Sequence, residues 1–205
     1  FPLGATTVTV TATDAAGNAS ACSFTVTVST VSSLPLSPGY TLVGLPLTPS
    51  AAYTAESMAQ EINAQAGTAV CTAVLQYAGG SFQTHPVGTT TIFNFPIAVG
   101  AGYFVRCSQA ATWTVTGTPF TATSVPLSLA AGYNLVALPL DPDPANPYTT
   151  QRLDAEIAGA TQILKYENGG FVTHPVGTPV THFPLATGRG YFVRCTSATT
   201  WNVTR

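Results

Sequence analysis

Apolar and polar residues alternate in the first 28 residues of the chain. Val8, Val10 and Ala12 alternate with threonines, and after a turn at Asp14–Asn18 the segment Cys22–Val28 alternates in the same way with serine and threonine. A period of two places every second side chain on the same face of a strand. The pattern therefore predicts a β-hairpin with one apolar face.

The rest of the chain contains one pattern twice. Gly102–Cys107 recurs unchanged at Gly190–Cys195, and Thr84–Gly88 recurs at Thr173–Gly177. Further matches in the same order are Gly39–Leu47 with Gly132–Leu140 and Trp113–Thr116 with Trp201–Thr204. Matches of this length in one order indicate two tandem copies of a module. We place the copies at residues 34–117 and 125–205.

One short helix is predicted in each module. The segments 54–65 and 149–158 place apolar residues four positions apart, which gives a helix one apolar face. Thr54 in the first module, and Thr149 or Thr150 in the second, are suited to cap the helix N-termini because their hydroxyls accept hydrogen bonds from free backbone N–H groups.

Antiparallel strands are predicted around each helix. In the first module these are an opening strand at 40–47, a hairpin that turns at Gly79–Gly80, and closing strands at 103–107 and 112–116. Paired glycines supply the positive φ that tight hairpins need, and Gly169–Gly170 does so in the second module. The predicted fold class is mainly β: an N-terminal hairpin, then two antiparallel β-rich modules with one short helix each.

Charged residues are scarce along the whole chain. They make up 7% of the 205 residues, against about 25% in ordinary soluble domains. The net charge of −2, without a basic run, leaves nucleic-acid binding without an electrostatic basis. A surface this poor in charge is weakly protected against self-association. Contact with other subunits, glycan cover and an ordinary threonine-rich β protein remain as explanations.

Neither a membrane span nor a leader is visible in the sequence. The stretch 15–55 carries no charge, but prolines, Gly39 and many hydroxyl groups interrupt it, so no spanning helix is predicted. The first residues lack the pattern of a signal peptide, which we interpret as a mature or trimmed form.

Three short segments give the first 28 residues a family resemblance. Phe1–Gly4, the turn Asp14–Asn18 and Cys22–Val26 together resemble the end of a hyalin repeat, an extracellular immunoglobulin-like domain. The resemblance implies that residues 1–30 form the last two strands of a sandwich. The cysteine that would pair with the one at Cys22 in the family is not present. The two modules also resemble repeats of large bacterial cell-surface proteins, which implies a secreted, prokaryotic protein.

The apolar face of the hairpin has to be covered, because an isolated two-stranded hairpin is marginal in water. The modules of the same chain, further parts of a longer protein, or a neighbouring copy are the candidates. We favour the last, by β-strand addition that gives a head-to-tail homopolymer. The inter-subunit anchors are then Val8, Val10, Phe24 and Val26.

Four cysteines are compatible with an oxidising compartment. Cys107 and Cys195 occupy equivalent positions, and only the first module has a second cysteine, Cys71. Cys71–Cys107 is therefore the favoured internal disulfide. Cys22 and Cys195 then pair within the chain, pair between subunits, or remain thiols.

No catalytic, metal or cofactor site is predicted, and we do not expect an enzyme. His85 and His174 lie in the repeated Thr-His-Pro-Val-Gly, which favours a shared structural turn. Metal-ligand spacings such as His-x-x-x-His and Cys-x-x-Cys do not occur. Two pairs of carboxylates lie on the predicted helices, Glu56 with Glu61 and Asp154 with Glu156. They are interpreted as parts of solvated helix faces rather than as a glycosidase pair.

Two features of the sequence bear on glycans. Asn18 and Asn202 lie in glycosylation sequons. Four repeated aromatic residues are candidates for a sugar-binding platform, although their strand positions favour core packing: Tyr40, Tyr133, Trp113 and Trp201. The sequence thus favours an extracellular structural subunit. An adhesive or carbohydrate-binding module of a larger secreted protein is the alternative.

Overall fold

The protein is mainly β, as its residue pattern predicts. The structure is a computed structural model that describes residues 1–89 and 91–205. The N-terminal hairpin consists of β1 (Gly4–Thr13) and β2 (Ala19–Val28), which pair only with each other among the described strands. The carboxylate of Asp14 closes the turn by accepting the backbone N–H groups of Ala16 and Asn18 at 2.9 Å each.

Module 1 is built from two antiparallel sheets and one helix. The four-stranded sheet has the spatial order β4 (Gly39–Val43), β8 (Tyr103–Cys107), β6 (Cys71–Ala78) and β7 (Ser81–Pro86). The three-stranded sheet has the order β3 (Thr30–Leu36), β9 (Ala111–Thr118) and β5 (Thr48–Pro49). Helix α1 (Ala55–Ala66) contacts strands of both sheets and so closes one core between them.

Module 2 has the same arrangement of two sheets and one helix, but with one strand fewer and a shorter helix. Its four-stranded sheet has the order β11 (Gly132–Ala137), β14 (Gly190–Cys195), β12 (Ala160–Glu167) and β13 (Gly170–Pro175). The second sheet contains β10 (Ser124–Leu129) and β15 (Thr199–Thr204) alone among the described strands. Helix α2 (Thr150–Glu156) is five residues shorter than α1, with 7 residues against 12.

Both helices begin where the sequence predicts. Thr54 caps α1 and accepts the backbone N–H of Ser57, and the Ser57 hydroxyl accepts the backbone N–H of Thr54 in return. This reciprocal pair satisfies two of the donors that a helix N-terminus leaves free. Thr149 caps α2 in the same position but without the return bond. The prediction that α2 extends to residue 158 is wrong, because its C-cap Ile157 is already extended.

The opening strand of module 1 is shorter than predicted. The prediction of a strand over 40–47 is wrong beyond Val43, since the backbone N–H of Gly44 leaves the sheet to donate to Gly188 O at 3.0 Å. Strand β3 ahead of it, and its counterpart β10, were not predicted. Their apolar residues Leu34 and Leu127 alternate with serine and proline over too few positions to give a clear period.

Each four-stranded sheet uses its two faces for two different cores. In module 1, Val43 and Val105 point into the module's own core, whereas their neighbours Leu42 and Phe104 point to the opposite side. There they meet the equivalent residues of module 2, Leu135 and Phe192, in a third apolar cluster. Sheets buried on both faces read as continuous apolar runs, which explains the repeated Tyr-Phe-Val segment.

The two modules are related by an approximate twofold axis. Gly44 N donates to Gly188 O at 3.0 Å, and the equivalent Ala137 N donates to Gly100 O at 2.9 Å. Equivalent residues meet each other on the axis: a Cβ on Gly44 would lie 2.1 Å from the Cβ of Ala137. Glycine is required there because the two backbones approach too closely for a second side chain.

Candidate functional site

The apolar side of the hairpin is partly exposed. We call it the hairpin face; its members are Val8, Val10, Cys22, Phe24 and Val26. The strands β1 and β2 contain no buried residue, and Val10 and Phe24 are 49% and 53% exposed. Val8 and Val26 are half-buried. Packing on the modules of the same chain, the first of the three ways to cover this face, therefore leaves Val10 and Phe24 open.

The pairing of β1 with β2 concentrates the apolar groups of the hairpin. Val8 lies opposite Phe24 and Val10 lies opposite Cys22, so the cross-strand neighbours on this face are all apolar or thiol groups at its centre. The opposite face carries threonine, serine and alanine, with Thr7 opposite Thr25. Each strand also has one outer edge without a ladder partner among the described strands. The hairpin thus presents an apolar face and two edges without strand partners, which are the features that strand addition uses.

The modules differ in how the outer edge of their smaller sheet is covered. On β9 of module 1, strand β5 pairs with part of the edge, and the amide side chain of Gln65 pairs with the rest. Its Nε2 donates to Thr114 O at 2.8 Å, and its Oε1 accepts Thr114 N at 2.7 Å. A helix side chain therefore occupies the place of a neighbouring strand.

The equivalent edge of β15 in module 2 is more open. Helix α2 ends at Glu156, before the position that would correspond to Gln65, and β15 has no counterpart of β5 among the described strands. Arg205 N donates across the ladder to Thr123 O, so by alternation the backbone of exposed Asn202 faces outward. At the end of this edge the backbone N–H of Thr204 donates to the hydroxyl of Tyr148 at 2.7 Å. The candidate acceptor for an added strand is therefore the outer edge at Thr200–Asn202.

Half-exposed aromatic side chains line a groove where the two modules meet. We call it the aromatic groove; it encloses about 250 Å³ and is lined by Tyr40, Leu75, Phe82, Phe104, Tyr166 and Phe171. Phe82 and Phe171 are 47% and 48% exposed. Trp113 and Trp201 do not take part, since both are fully buried in their module cores. Core packing is thus confirmed for the tryptophans, whereas Tyr40 and Tyr133 remain accessible.

Beside the groove lies a larger and more polar cleft. It encloses about 640 Å³, and its lining includes Tyr40, Lys165, Tyr166, Asn168 and Arg189. The approximate twofold axis relates it to a second cleft of about 730 Å³ on the other side of the interface. There, Tyr133 replaces Tyr40, Gly79 replaces Asn168, and Ala101 replaces Arg189. The two clefts share a shape but differ in polar groups.

The repeated histidines are buried and each pairs with a carboxylate. The Nε2 of His85 lies 2.6 Å from Glu56 Oε2, and its Nδ1 lies 2.7 Å from Ile92 O. Neither ring is exposed to solvent. In module 2, Nε2 of His174 lies 3.0 Å from both oxygens of Asp154. The prediction of a structural role fits this geometry, because each histidine ties the turn that follows it to a helix.

Glu56 is the residue that sequence reasoning placed incorrectly. It was expected on a solvated helix face, but it is only 6% exposed. Burial raises the pKa of its carboxyl, but hydrogen bonds from His85, from Gly88 N and from Gln60 outweigh burial and hold the pKa below its usual range. The repeat gives no sign of this contact. Relative to its N-cap, Asp154 lies one helical turn further along α2 than Glu56 lies along α1, so the two carboxylates do not align when the modules are compared.

The four cysteines occupy three different environments. Cys71 and Cys107 lie directly opposite each other on β6 and β8, both buried. Cys195 is also buried and lies opposite Ala160, whereas Cys22 is exposed on the hairpin face. All four are thiols in the structure. A bond between Cys22 of one subunit and Cys195 of another is not supported by this geometry, because the folded module encloses Cys195.

The remaining sequence candidates lie on the surface. Asn18 is exposed in the hairpin turn, and Asn202 is exposed on the open edge of β15, so both sequons are accessible. Within residues 1–89 and 91–205, no group of three or more histidine, cysteine or acidic side chains is arranged to hold a metal ion. No helix in this part of the chain is both long and apolar enough to cross a membrane.

Comparison with known proteins identifies the hairpin segment alone. Residues 1–28 match the family model described as the HYR domain, which confirms the hyalin-repeat resemblance for this part of the chain. The match covers 28 of the 205 residues and shows what this segment is similar to. No curated protein and no solved structure matches the chain.

Proposed function

We propose that this chain is an extracellular structural subunit of a prokaryotic cell surface that assembles by β-strand addition. The donor is the N-terminal hairpin, and the acceptor is a sheet edge of a neighbouring copy. The observation that carries the proposal is the exposed hairpin face, with Phe24 at 53% exposure. Apolar patches of this kind on secreted proteins mark contact surfaces.

The open outer edge of β15 is the best acceptor in the modules. Its backbone groups at Asn202 have no strand beside them among the described residues, whereas β9 is covered by β5 and Gln65. Donor and acceptor are then different surfaces of one chain. A contact between different surfaces gives an open head-to-tail assembly when its rotation does not close a ring, because each added copy then exposes a new acceptor.

The scarcity of charge supports assembly. Only 7% of the residues are charged, and the hairpin face contains none of them. Like-charge repulsion, the usual protection against edge-to-edge pairing, is therefore weak on the hairpin face. Val8, Val10, Phe24 and Val26 are the anchors that become buried at the contact.

Sedimentation velocity and negative-stain microscopy of the purified chain test assembly directly. The wild type is expected to sediment as a concentration-dependent series and to form filaments. Phe24→Asp places a charge in the buried contact and is expected to leave monomers. Thr25→Asp, on the polar face of the same strand, is the matched control and should still assemble. A monomeric wild type, or filaments of Phe24→Asp, would contradict the proposal.

A second candidate function, glycan binding, is favoured by the polar cleft. Tyr40 and Tyr166 offer aromatic rings on which a sugar ring can stack, and Lys165, Asn168 and Arg189 offer hydrogen-bond donors beside them. Sites for small ligands combine apolar surface with a few convergent polar groups in this way. The role would be adhesive, and it is compatible with a polymer that displays the cleft on every subunit.

A glycan array followed by calorimetry with the best glycan tests this second candidate. Tyr40→Ala is expected to weaken binding at least tenfold, because it removes one stacking surface. Tyr133→Ala alters the equivalent tyrosine of the other cleft and is expected to leave the affinity unchanged. Absence of binding to any glycan, or an equal loss in both variants, would exclude a site in the polar cleft.

A further inference from the structure

Two of the four cysteines are placed for a covalent bond with each other. Cys71 opens β6 and Cys107 ends β8, and the ladder between these strands makes them direct partners. Residues directly opposite in an antiparallel pair have Cα atoms about 4.5–5.5 Å apart. This separation lies inside the range of about 4.4–6.8 Å that disulfides span.

The backbone around Cys71 is fixed in this position. A β-bulge between Cys71 and Ala73 moves Thr72 out of the ladder and brings Cys71 opposite Cys107. The side chain of Asn63 on α1 holds the residue from both sides: its Oδ1 accepts Cys71 N at 2.6 Å, and its Nδ2 donates to Cys71 O at 3.2 Å. No backbone rearrangement is needed to bring the two side chains together.

The two thiols already contact each other in the core. Both side chains lie in the core of module 1, and each shifts the ionisation of the other: Cys107 raises the pKa of Cys71, and Cys71 lowers the pKa of Cys107. Both residues are only 2% exposed. The other two cysteines lack such a partner among the described residues: Cys195 faces Ala160, and Cys22 faces Val10.

The structure assigns an intramolecular disulfide to Cys71 and Cys107, with Cys22 and Cys195 left as thiols. Four cysteines can pair completely in three ways. The fold favours none of these complete pairings, because it brings Cys71 and Cys107 together but keeps Cys22 and Cys195 apart. Bond formation removes two protons and two electrons from the two thiols. The oxidant is the disulfide of an extracellular thiol oxidoreductase, which is reduced to its dithiol by exchange.

The burial of both sulfurs sets when the bond forms and how it behaves afterwards. An oxidoreductase does not reach residues that are 2% exposed, so exchange takes place before the core closes around α1. Once the module is folded, the same enclosure shields the bond from soluble reductants. The assignment is independent of the proposed assembly, since both cysteines lie inside one module, away from the hairpin face and the β15 edge.

Alkylation under denaturing conditions, followed by peptide mapping, tests the assignment on protein isolated from an oxidising compartment. We expect two alkylated cysteines without reductant, four after reduction, and a cross-linked peptide pair containing Cys71 and Cys107. Cys195→Ser is expected to keep this cross-link, and Cys71→Ser is expected to lose it and expose Cys107 to alkylation. Four alkylated cysteines in the unreduced wild type, or any other cross-link, would overturn the assignment.

Module 2 offers a gain-of-function test that does not depend on a damaged core. It has the same bulge, between Ala160 and Gln162, and the same register opposite Cys195. Ala160→Cys should therefore form a second cross-link under the same oxidising conditions and raise the thermal midpoint of unfolding. If this variant keeps a free thiol at Cys195, the register does not direct bond formation, and the argument for module 1 fails with it.

Discussion

Module 1 and module 2 share the strand order of their four-stranded sheets, their buried tryptophan and their buried histidine, but they differ at the outer edge of their smaller sheets. Module 1 has a helix of 12 residues, the strand β5 and the cap by Gln65, whereas module 2 has a helix of 7 residues and an open edge. The shared parts build the core and the interface between modules. The comparison shows that the module folds with or without a group covering the outer edge of its smaller sheet. Module 2 can therefore leave this edge open for contact.

The histidine pairs show the same contact made from different sequence positions. Glu56 is the second residue of α1, and Asp154 is the fifth of α2, one turn further along the same helix face. Aspartate has a shorter side chain than glutamate, which compensates for its different position along the helix. Both carboxylates contact the histidine and accept the backbone N–H of the glycine three residues after it. Module 1 nevertheless encloses its pair more completely, with side-chain exposures of 8% for Glu56 and 16% for Asp154.

The largest expected difference between the modules comes from removal of these histidines. His85→Ala leaves the carboxylate of Glu56 buried without its partner, and breaking a buried pair in this way costs about 3–5 kcal/mol. His174→Ala should cost less, about 1–3 kcal/mol, because Asp154 is more accessible to water. Urea unfolding of each variant measures the free energy of unfolding. The exposed His182→Ala serves as the control, and equal losses for His85→Ala and His174→Ala would contradict the comparison.

A change on the axis tests how closely the two modules depend on each other. In Gly44→Ala the new methyl group meets the Cβ of Ala137, and overpacking of this kind costs about 1–3 kcal/mol. Adding Ala137→Gly exchanges the two residues and should recover most of the loss. Recovery is incomplete because Ala101 O also lies 2.9 Å from the new Cβ. If the double variant is no more stable than Gly44→Ala, as measured by thermal unfolding, the two residues are not coupled.

The smallest expected effect concerns acid. The pKa of Glu56 is lower in the folded chain than its usual 4.5, so the folded state favours the ionised carboxylate. This contribution to stability is fully present above about pH 5, and it is lost as the pH falls through the folded pKa. Glu56→Gln removes this titration. Between pH 6 and pH 3, the free energy of unfolding should therefore fall less in the variant than in the wild type, by about 0.5 kcal/mol or more. Parallel pH profiles of the two proteins would contradict this assignment.

Much of the plan could be predicted from the sequence because it depends on local patterns. The hairpin follows from a period of two, the helix starts follow from Thr54 and Thr149, and the two-module plan follows from repeated segments. What could not be predicted depends on contacts far apart in the chain. The opening strand ends at Val43 because Gly44 turns to module 2, and Glu56 is buried because His85, 29 residues later, returns to meet it.

The same contrast between local patterns and distant contacts applies to the candidate surfaces. The anchors Val8 and Phe24 could be assigned to one face from their spacing. The structure places Cys71 opposite Cys107, whereas a disulfide between them stays a prediction. The aromatic groove and the polar cleft could not be foreseen, because they exist only where one module meets the other. A tyrosine such as Tyr40 gives no sign in the sequence that its neighbour across the groove is Tyr166.

The close approach of Gly44 and Ala137 has a consequence for the history of the chain. In a homodimer of a single ancestral module, the residue at this point would be the same in both copies. Two alanines would collide, and two glycines would leave a gap and a more flexible backbone at the centre of the contact. Fusion of two gene copies into one polypeptide removes this restriction, since each half can then acquire its own residue. The glycine–alanine pair is thus an arrangement that two covalently linked copies can adopt and an exact homodimer cannot.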